Sequence, residues 1–247
     1  MHDFNKLKVF MYRIYFKLSK LSNKKTIQSI YGPVFKQNYK DSTFKYYILG
    51  SYGKYFSDFL REYSGEYCFI DIGANQGLYT LVAAKNNHCN KILAFEPVEY
   101  SYQILEENIK LNNTKSKVTL EKKAIFKKTE KIHMTLDLDH TGISSIKKYS
   151  GQNDGTLVEV DAIGHQELDE IFSKLTEHEI VVKIDVEGSE EIILGELLKT
   201  SIWGRVKYIF LEINNFPGYK DFILKNKFNE VYVGKGNVYD VMLKRHA

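Results

Sequence analysis

Three carboxylates stand where two strand-like stretches end. In E-I-V-V-K-I-D-V-E at residues 179–187, period-two alternation puts Val181, Lys183, Asp185 and Glu187 on one side. In V-K-Y-I-F-L-E-I at 206–213, followed by Asn214, it puts Tyr208, Phe210, Glu212 and Asn214 on one side. In a parallel sheet Asp185, Glu187, Glu212 and Asn214 gather at one edge. Carboxylates gathered this way support two chemistries. Asp185 or Glu187 can take a proton from an attacking hydroxyl as a general base. Alternatively, Asp185 and Glu212, with Asn214, can hold a divalent cation that binds a diol and lowers its pKa. Lys183 has two readings, a candidate base or a buried lysine paired with a neighbouring acid. His140, in D-L-D-H-T-G, is a further candidate base, or else a solvated loop side chain. The T-G-I-S-S stretch at 141–145 could close over an acceptor. Ser144 and Ser145 then have contact roles, because no His/Asp partner pattern accompanies them.

A second chemistry-bearing stretch, residues 69–85, reads F-I-D-I-G-A-N-Q-G-L-Y-T-L-V-A-A-K. Residues 69–72 are apolar and β-prone, and Gly73, Asn75 and Gly77 punctuate the turn after them. From Leu78 the apolar residues Leu78, Leu81, Val82 and Ala84 recur at helical spacing. A strand, glycine loop and helix in that order bring backbone close to a ligand and aim helix N–H groups at it. The loop lacks both the G-x-G-x-x-G of dinucleotide sites and the Lys and Ser/Thr of a P-loop. Glu96, 19 positions after Gly77, closes the next strand. An acid there can accept both hydroxyls of a ribose. Such a loop with a ribose acid fits an adenosine ligand carrying an amino-acid tail, as S-adenosylmethionine does. Its carboxylate is expected to meet the loop N–H groups, and its ammonium Asp71.

These stretches together resemble a known family. D-I-G-A-N-Q-G-L-Y-T at 71–80, A-F-E-P at 94–97 and K-I-D-V-E-G-S-E at 183–190 are similar to the FkbM-type S-adenosylmethionine-dependent methyltransferases. L-E-I-N at 211–214 and G-I-S-S at 142–145 are similar too. The resemblance implies a seven-stranded class I methyltransferase fold, with S-adenosylmethionine as cofactor and methyl transfer to oxygen. It implies a sugar or small-molecule hydroxyl as acceptor, often in bacterial capsular or lipopolysaccharide biosynthesis. On the cofactor side it carries Asp71, Gly73, Asn75, Gly77, Tyr79, Thr80, Glu96 and Pro97, and Ala124 at the end of the third strand joins them. Metal-dependent catechol-type methyltransferases also end these two later strands with acids, and the possible divalent cation at Asp185 and Glu212 rests on that analogy.

The elements that must position these groups are legible around them. Strand-like stretches at 69–72, 91–95, 118–122, 180–186 and 206–213 alternate with helical stretches from Leu78 and at 99–111, 190–198 and 217–227. Further strands are expected at 133–138 and 157–163, a short helix at 168–175, and a hairpin from 231–233 and 238–243 around G-K-G-N. The pattern predicts an α/β fold with a Rossmann-like, mostly parallel sheet ending in an antiparallel hairpin. Residues 1–60 are expected to form a helical cover and 61–247 the cofactor-binding domain.

The chain has 247 residues, 43% hydrophobic, with a net charge of +4, which does not require a nucleic-acid partner. No N-P-P-Y motif or basic aromatic cleft of a base-modifying enzyme is visible, so a small-molecule or glycan partner is expected and no nucleic acid. Cys68 and Cys89 belong to no C-x-x-C and read as buried thiols in a reducing cytosol. No apolar run reaches the roughly 20 residues of a membrane span, and no signal peptide is visible, so a cytoplasmic protein is expected. Residues 1–25 set seven Lys/Arg side chains against one acid, Asp3, with Val9, Phe10, Met11, Ile14, Tyr15 and Leu18 between them. Two readings stay open for that helix: a peripheral membrane-surface or partner-docking element, or a helix packed on the domain or on a second subunit. An NAD-dependent oxidoreductase and a nucleotide-binding scaffold are the competing classes, disfavoured by the missing dinucleotide glycines and by the acids at both strand ends.

Overall fold

The chain opens with α1 (Lys6–Leu21), which turns Val9, Tyr12 and Phe16 inward. The computed structural model describes residues 6–22, 24–144, 156–213, 216–235 and 239–246, so Ser145 and Asn214 lie outside it. Strands β1 (Thr26–Gln28) and β2 (Val34–Lys36) pair antiparallel. Helix α2 (Ser42–Leu49) begins because Asp41 accepts the Thr43 N–H at 2.8 Å, and it stops at left-handed Gly50. Then come α3 (Lys54–Glu62), β3 (Tyr67–Ile72), α4 (Leu78–Ala84), β4 (Cys89–Phe95), α5 (Glu99–Leu111) and β5 (Val118–Glu121). They are followed by β6 (Ala124–Ile125), β7 (Glu130–Leu136), β8 (Thr156–Ile163), α6 (His165–Phe172), β9 (Ile180–Ile184) and α7 (Glu190–Leu197). The chain closes with β10 (Val206–Ile213), α8 (Tyr219–Lys225), β11 (Phe228–Val233) and β12 (Tyr239–Arg245).

Seven of these strands form one sheet in the order β11-β12-β10-β9-β3-β4-β5. The five from β10 to β5 are mutually parallel, and β12 enters antiparallel between β10 and β11. Every residue of β3 and β9 is buried, as expected of central parallel strands covered on both faces. Alternate side chains divide between two cores. Phe69, Val181 and Phe210 face α3, α4 and the cover, while Ile70, Val182 and Ile209 face α6, α7 and α8. Phe56 of α3 stacks on Phe210 with ring centroids 4.2 Å apart, so residues 27–60 share a core with the sheet. Cys68 and Cys89 are buried free thiols. Among the described residues no helix is long and apolar enough to cross a membrane.

Three expectations change. The strands expected at 133–138 and 157–163 do not join the main sheet. They are β7 and β8, an antiparallel pair that builds a second sheet with β6. The physical reason is their one-sided pattern: Ile132, Met134 and Leu136 are buried while the residues between them are not, which suits a half-solvated ribbon. The strand expected to reach Val186 stops at Ile184, because Glu187 and Gly188 turn to left-handed φ of 53° and 97°. The helix expected at 168–175 begins at His165, whose N–H donates to Glu196 at 3.0 Å.

Candidate active site

The strand order reverses between β3 and β9, and a crevice opens at the carboxyl ends of such strands. A cavity of about 280 Å³ lies there. It is lined by Gly73, Asn75, Glu96, Pro97, Val98 and Ala124 and by the acids Asp185, Glu187 and Glu212. The cover supplies Thr43, Tyr46, Tyr47 and Tyr52, and the loop after β7 supplies His140 to Ser144.

Glu96 is 6% exposed, and its two oxygens accept the N–H groups of Asn75 at 2.8 Å and Val98 at 2.9 Å. Burial pushes its carboxyl up to about 7, against the pull of those amides and of Lys183. Each oxygen keeps a lone-pair direction beyond its amide bond, as an acceptor of two vicinal hydroxyls needs. Gly73 sits at φ 76°, where a Cβ would collide with the carbonyl oxygen of Asp185, so glycine is required for β3 and β9 to end side by side.

The loop behaves differently from expectation in two respects. Four of its N–H groups are already engaged: Gly73 and Ala74 donate to Phe95, Asn75 to Glu96, and Gly77 to Ala74. These four are not free to meet a carboxylate. Asp71 is fully buried and does not line the cavity. Its Oδ2 accepts the N–H and hydroxyl of Thr80 at 3.0 and 2.7 Å, and its Oδ1 lies 3.3 Å from the Lys183 ammonium. Asp71 therefore anchors the first turn of α4, and an ammonium of a bound ligand has no route to it. Gly77, Tyr79 and Thr80 also lie behind the wall, the Tyr79 ring packing between Phe56 and Phe210.

Of the two readings of Lys183, the structure matches the second, a buried lysine paired with neighbouring acids. It is 2% exposed, donates to the Gly73 carbonyl at 2.6 Å, and lies between Asp71 and Asp185, the latter at 3.5 Å. Burial alone would lower its pKa, but Asp71, Asp185 and Glu96 reverse that and hold it above the ordinary lysine value. Lys183 also lies outside the cavity lining, away from where an acceptor would sit. It pins the glycine loop to the acids instead.

The carboxylates converge. One oxygen each of Asp185, Glu187 and Glu212 lies within 4.8 Å of the others. Asp185 accepts the Tyr52 hydroxyl at 3.1 Å. Burial, then the charges of Asp185 and Glu190, push Glu187 up to about 7. Glu212 is raised by burial and by Asp185, Glu187 and Asp240. Asp240, opposite Glu212 on β12, is raised to about 6 by burial and Asp185. These acids outnumber the Lys183 ammonium beside them, so the site favours a positively charged occupant. Asp185, Glu187 and Glu212 together offer the hard oxygen ligands a divalent cation would take. Glu187 also holds a backbone conformation that non-glycine residues rarely adopt, and such outliers concentrate at functional sites. Glu190, by contrast, accepts the Gly188 N–H at 2.9 Å and caps the start of α7.

The loop after β7 is fastened through Asp41, which is 1% exposed. Asp41 accepts the Thr141 hydroxyl at 2.6 Å and N–H at 3.3 Å, and the Gln76 amide as well. The Thr141 hydroxyl is also 3.1 Å from Asn75 Oδ1, and the Gly142 N–H donates to Thr43 at 2.9 Å. His140 lines the cavity with its ring edge-on to Tyr46, centroids 5.8 Å apart. Sequence reasoning missed Asp41, Tyr52 and Asp240. Asp41 had a legible signal as the cap of S-T-F; the other two become site residues only through partners 133 and 28 positions away in the chain.

A seven-stranded sheet with this order, a glycine loop after β3 and an acid after β4 defines the class I, Rossmann-like methyltransferase fold. The methyltransferase FkbM domain matches residues 71–236, and the chain belongs to that family. It is an S-adenosylmethionine-dependent methyltransferase, which sets aside the oxidoreductase and scaffold readings. No curated protein matches the chain. Similar solved structures include a putative tRNA methyltransferase from Streptococcus pneumoniae in complex with S-adenosyl-L-methionine, at 15% identity, covering 78% of this chain and 71% of that one, TM-score 0.48. TrmK of M. capricolum with S-adenosyl-homocysteine is 9% identical over 78% and 68%, TM-score 0.44. A precorrin-6y C5,15-methyltransferase from Geobacter metallireducens is 12% identical over 78% and 86%, TM-score 0.44.

The cavity suits the donor. Glu96 presents a paired acceptor for a ribose, and Phe95, Val98, Ala124 and Ile125 offer apolar surface for a purine. The excess of carboxylates suits the positive charge of a sulfonium and an ammonium.

Proposed function

We propose that the chain is an O-methyltransferase acting on a sugar hydroxyl, in a nucleotide-activated sugar or a glycan of bacterial surface polysaccharide. Glu187 carries this reading: it projects into the cavity from a left-handed backbone with its carboxyl raised to about 7. A base with a pKa near neutrality is best matched to remove a hydroxyl proton. The sugar class rests on the family resemblance, and the carboxylates lining the cavity can accept hydrogen bonds from a sugar's hydroxyls.

When bound, S-adenosylmethionine supplies an electrophilic methyl carbon and a neutral thioether leaving group. Glu96 holds the ribose, and the wall from Phe95 to Ala124 orients the base. Asp185, oriented by Tyr52, and Glu212 balance positive charge, and Glu187 takes the acceptor's proton. His140 and Ser144, on the docked loop, contact the acceptor.

A second reading has a specific observation behind it. The 4.8 Å grouping of Asp185, Glu187 and Glu212 would hold a divalent cation, lowering the pKa of a bound hydroxyl. Activity that survives dialysis against a chelator removes this reading; loss restored by added magnesium or manganese supports it. The acceptor class is tested by incubating the protein and S-adenosylmethionine with nucleotide-activated sugars and glycans. Gain of one methyl by mass spectrometry supports a sugar acceptor. Gain on a natural-product hydroxyl alone moves the acceptor to another small molecule.

A further inference from the structure

The methyltransferase site uses none of the outer face of α1. That helix has two apolar sides. Val9, Tyr12 and Phe16 pack on the domain, Phe16 against Tyr39 and Phe44 at 5.2 and 6.1 Å, and Ser19 bonds the Tyr39 hydroxyl at 2.6 Å. The opposite side carries Phe10, Met11, Ile14, Leu18 and Leu21, exposed at 60%, 60%, 44%, 61% and 85%. Their spacing of three, four and seven residues makes one stripe along the helix. Lys6, Arg13, Lys17 and Lys20 run beside the stripe, all exposed, and Lys24 and Lys25 continue the cations past its end. The helix contains no acid.

We propose that α1 docks the protein on the surface of an anionic phospholipid bilayer, lying in the plane of the interface. An amphipathic helix with large apolar side chains on one side and lysines beside them sinks its apolar face to the headgroup boundary, and its cations meet anionic headgroups. The helix is 16 residues long and too polar to span a membrane, so it lies on the bilayer rather than in it. Charge argues against a second copy as the occupant, because pairing two such helices sets cations against cations with no acid to answer them. It argues against nucleic acid too, since a phosphate backbone has no use for five exposed apolar side chains. The helix packs on α2, which supplies Thr43, Tyr46 and Tyr47 to the cavity, so docking places the active site beside the membrane surface. The proposal is independent of which acceptor the enzyme uses.

The test is co-sedimentation of the full chain with phosphatidylcholine vesicles, with and without phosphatidylglycerol, at low and high salt. Binding to the phosphatidylglycerol vesicles is expected, weakened by salt. At about fivefold per cation, Lys17→Gln with Lys20→Gln should weaken it roughly 25-fold. Phe10→Gln, Leu18→Gln and Leu21→Gln together should abolish it while leaving the thermal shift with S-adenosylmethionine unchanged, which shows that the variant is folded. Equal binding to both vesicle types, or none, overturns the proposal. So does a concentration-dependent dimer that the triple variant dissolves, which makes a second copy the occupant, or salt-sensitive RNA binding that survives the triple variant.

Discussion

In the proposed mechanism Glu187 is the base, and its neighbours set its behaviour. Glu187→Gln keeps the size and removes the base, so turnover should fall about 10²–10⁴-fold while S-adenosylmethionine affinity by calorimetry changes little. Glu187→Gly relieves the left-handed backbone at φ 53°, so its melting temperature should not fall although its activity does. Lys183→Met should act in the opposite way. It strands Asp71 in the core without its cation, and loss of one partner of a buried pair costs about 3–5 kcal/mol in denaturant unfolding. Glu212 was legible by alternation within β10, whereas Asp185 and Glu187 lie past the end of β9 at Ile184 and were legible only as acids that follow a parallel strand at the same edge of the sheet. Asp71 was misread, and the two readings of Lys183 stayed open, because a sequence shows which groups lie near a loop but not which way they are turned. Both face inward and satisfy each other. Tyr52 had no periodic context at all, and its meaning comes from the hydroxyl it gives to Asp185.

The main strands were legible as short apolar runs bounded by turn residues, and the helices by apolar residues at helical spacing. The chain between and before them was not. Helix α2 and the loop at 139–144 meet through Asp41, a contact across about a hundred positions that no local pattern announces. Their assembly has a measurable consequence. Asp41→Ala should free Thr141 and Gln76 and loosen the loop that carries His140. Hydrogen exchange at 140–144 should speed up, and KM for the acceptor should rise more than Kd for S-adenosylmethionine. Equal effects on both would show that Asp41 merely holds the fold. The second sheet was invisible for a related reason: β7 and β8 alternate like any half-buried strands, and only their register with β6 separates them from the main sheet.

At the scale of the whole molecule, the cavity gathers acids whose folded pKa values lie above their usual ones: Glu96 and Glu187 near 7 and Asp240 near 6, from ordinary values of 4.5, 4.5 and 3.8. Between about pH 4 and 7 the folded state therefore holds more protons than the unfolded state. Their contribution to stability is present at low pH and lost as pH rises through the folded values. The ligand-free protein should melt at progressively lower temperature from about pH 5 to pH 8. S-adenosylmethionine, a cation, should stabilise it more at pH 8 than at pH 6, and more so than the uncharged thioether product does. A flat melting profile over that range would mean that these acids are ionised and compensated by some other charge. The most direct test of the reading as a whole compares the wild type with Glu187→Gln, matched for S-adenosylmethionine binding, for methyl gain on a panel of sugar acceptors by mass spectrometry. The expected result is one methyl on a hydroxyl oxygen in the wild type and at least a hundredfold less in the variant. Methyl placed on nitrogen or carbon, or an undiminished rate in Glu187→Gln, would contradict it.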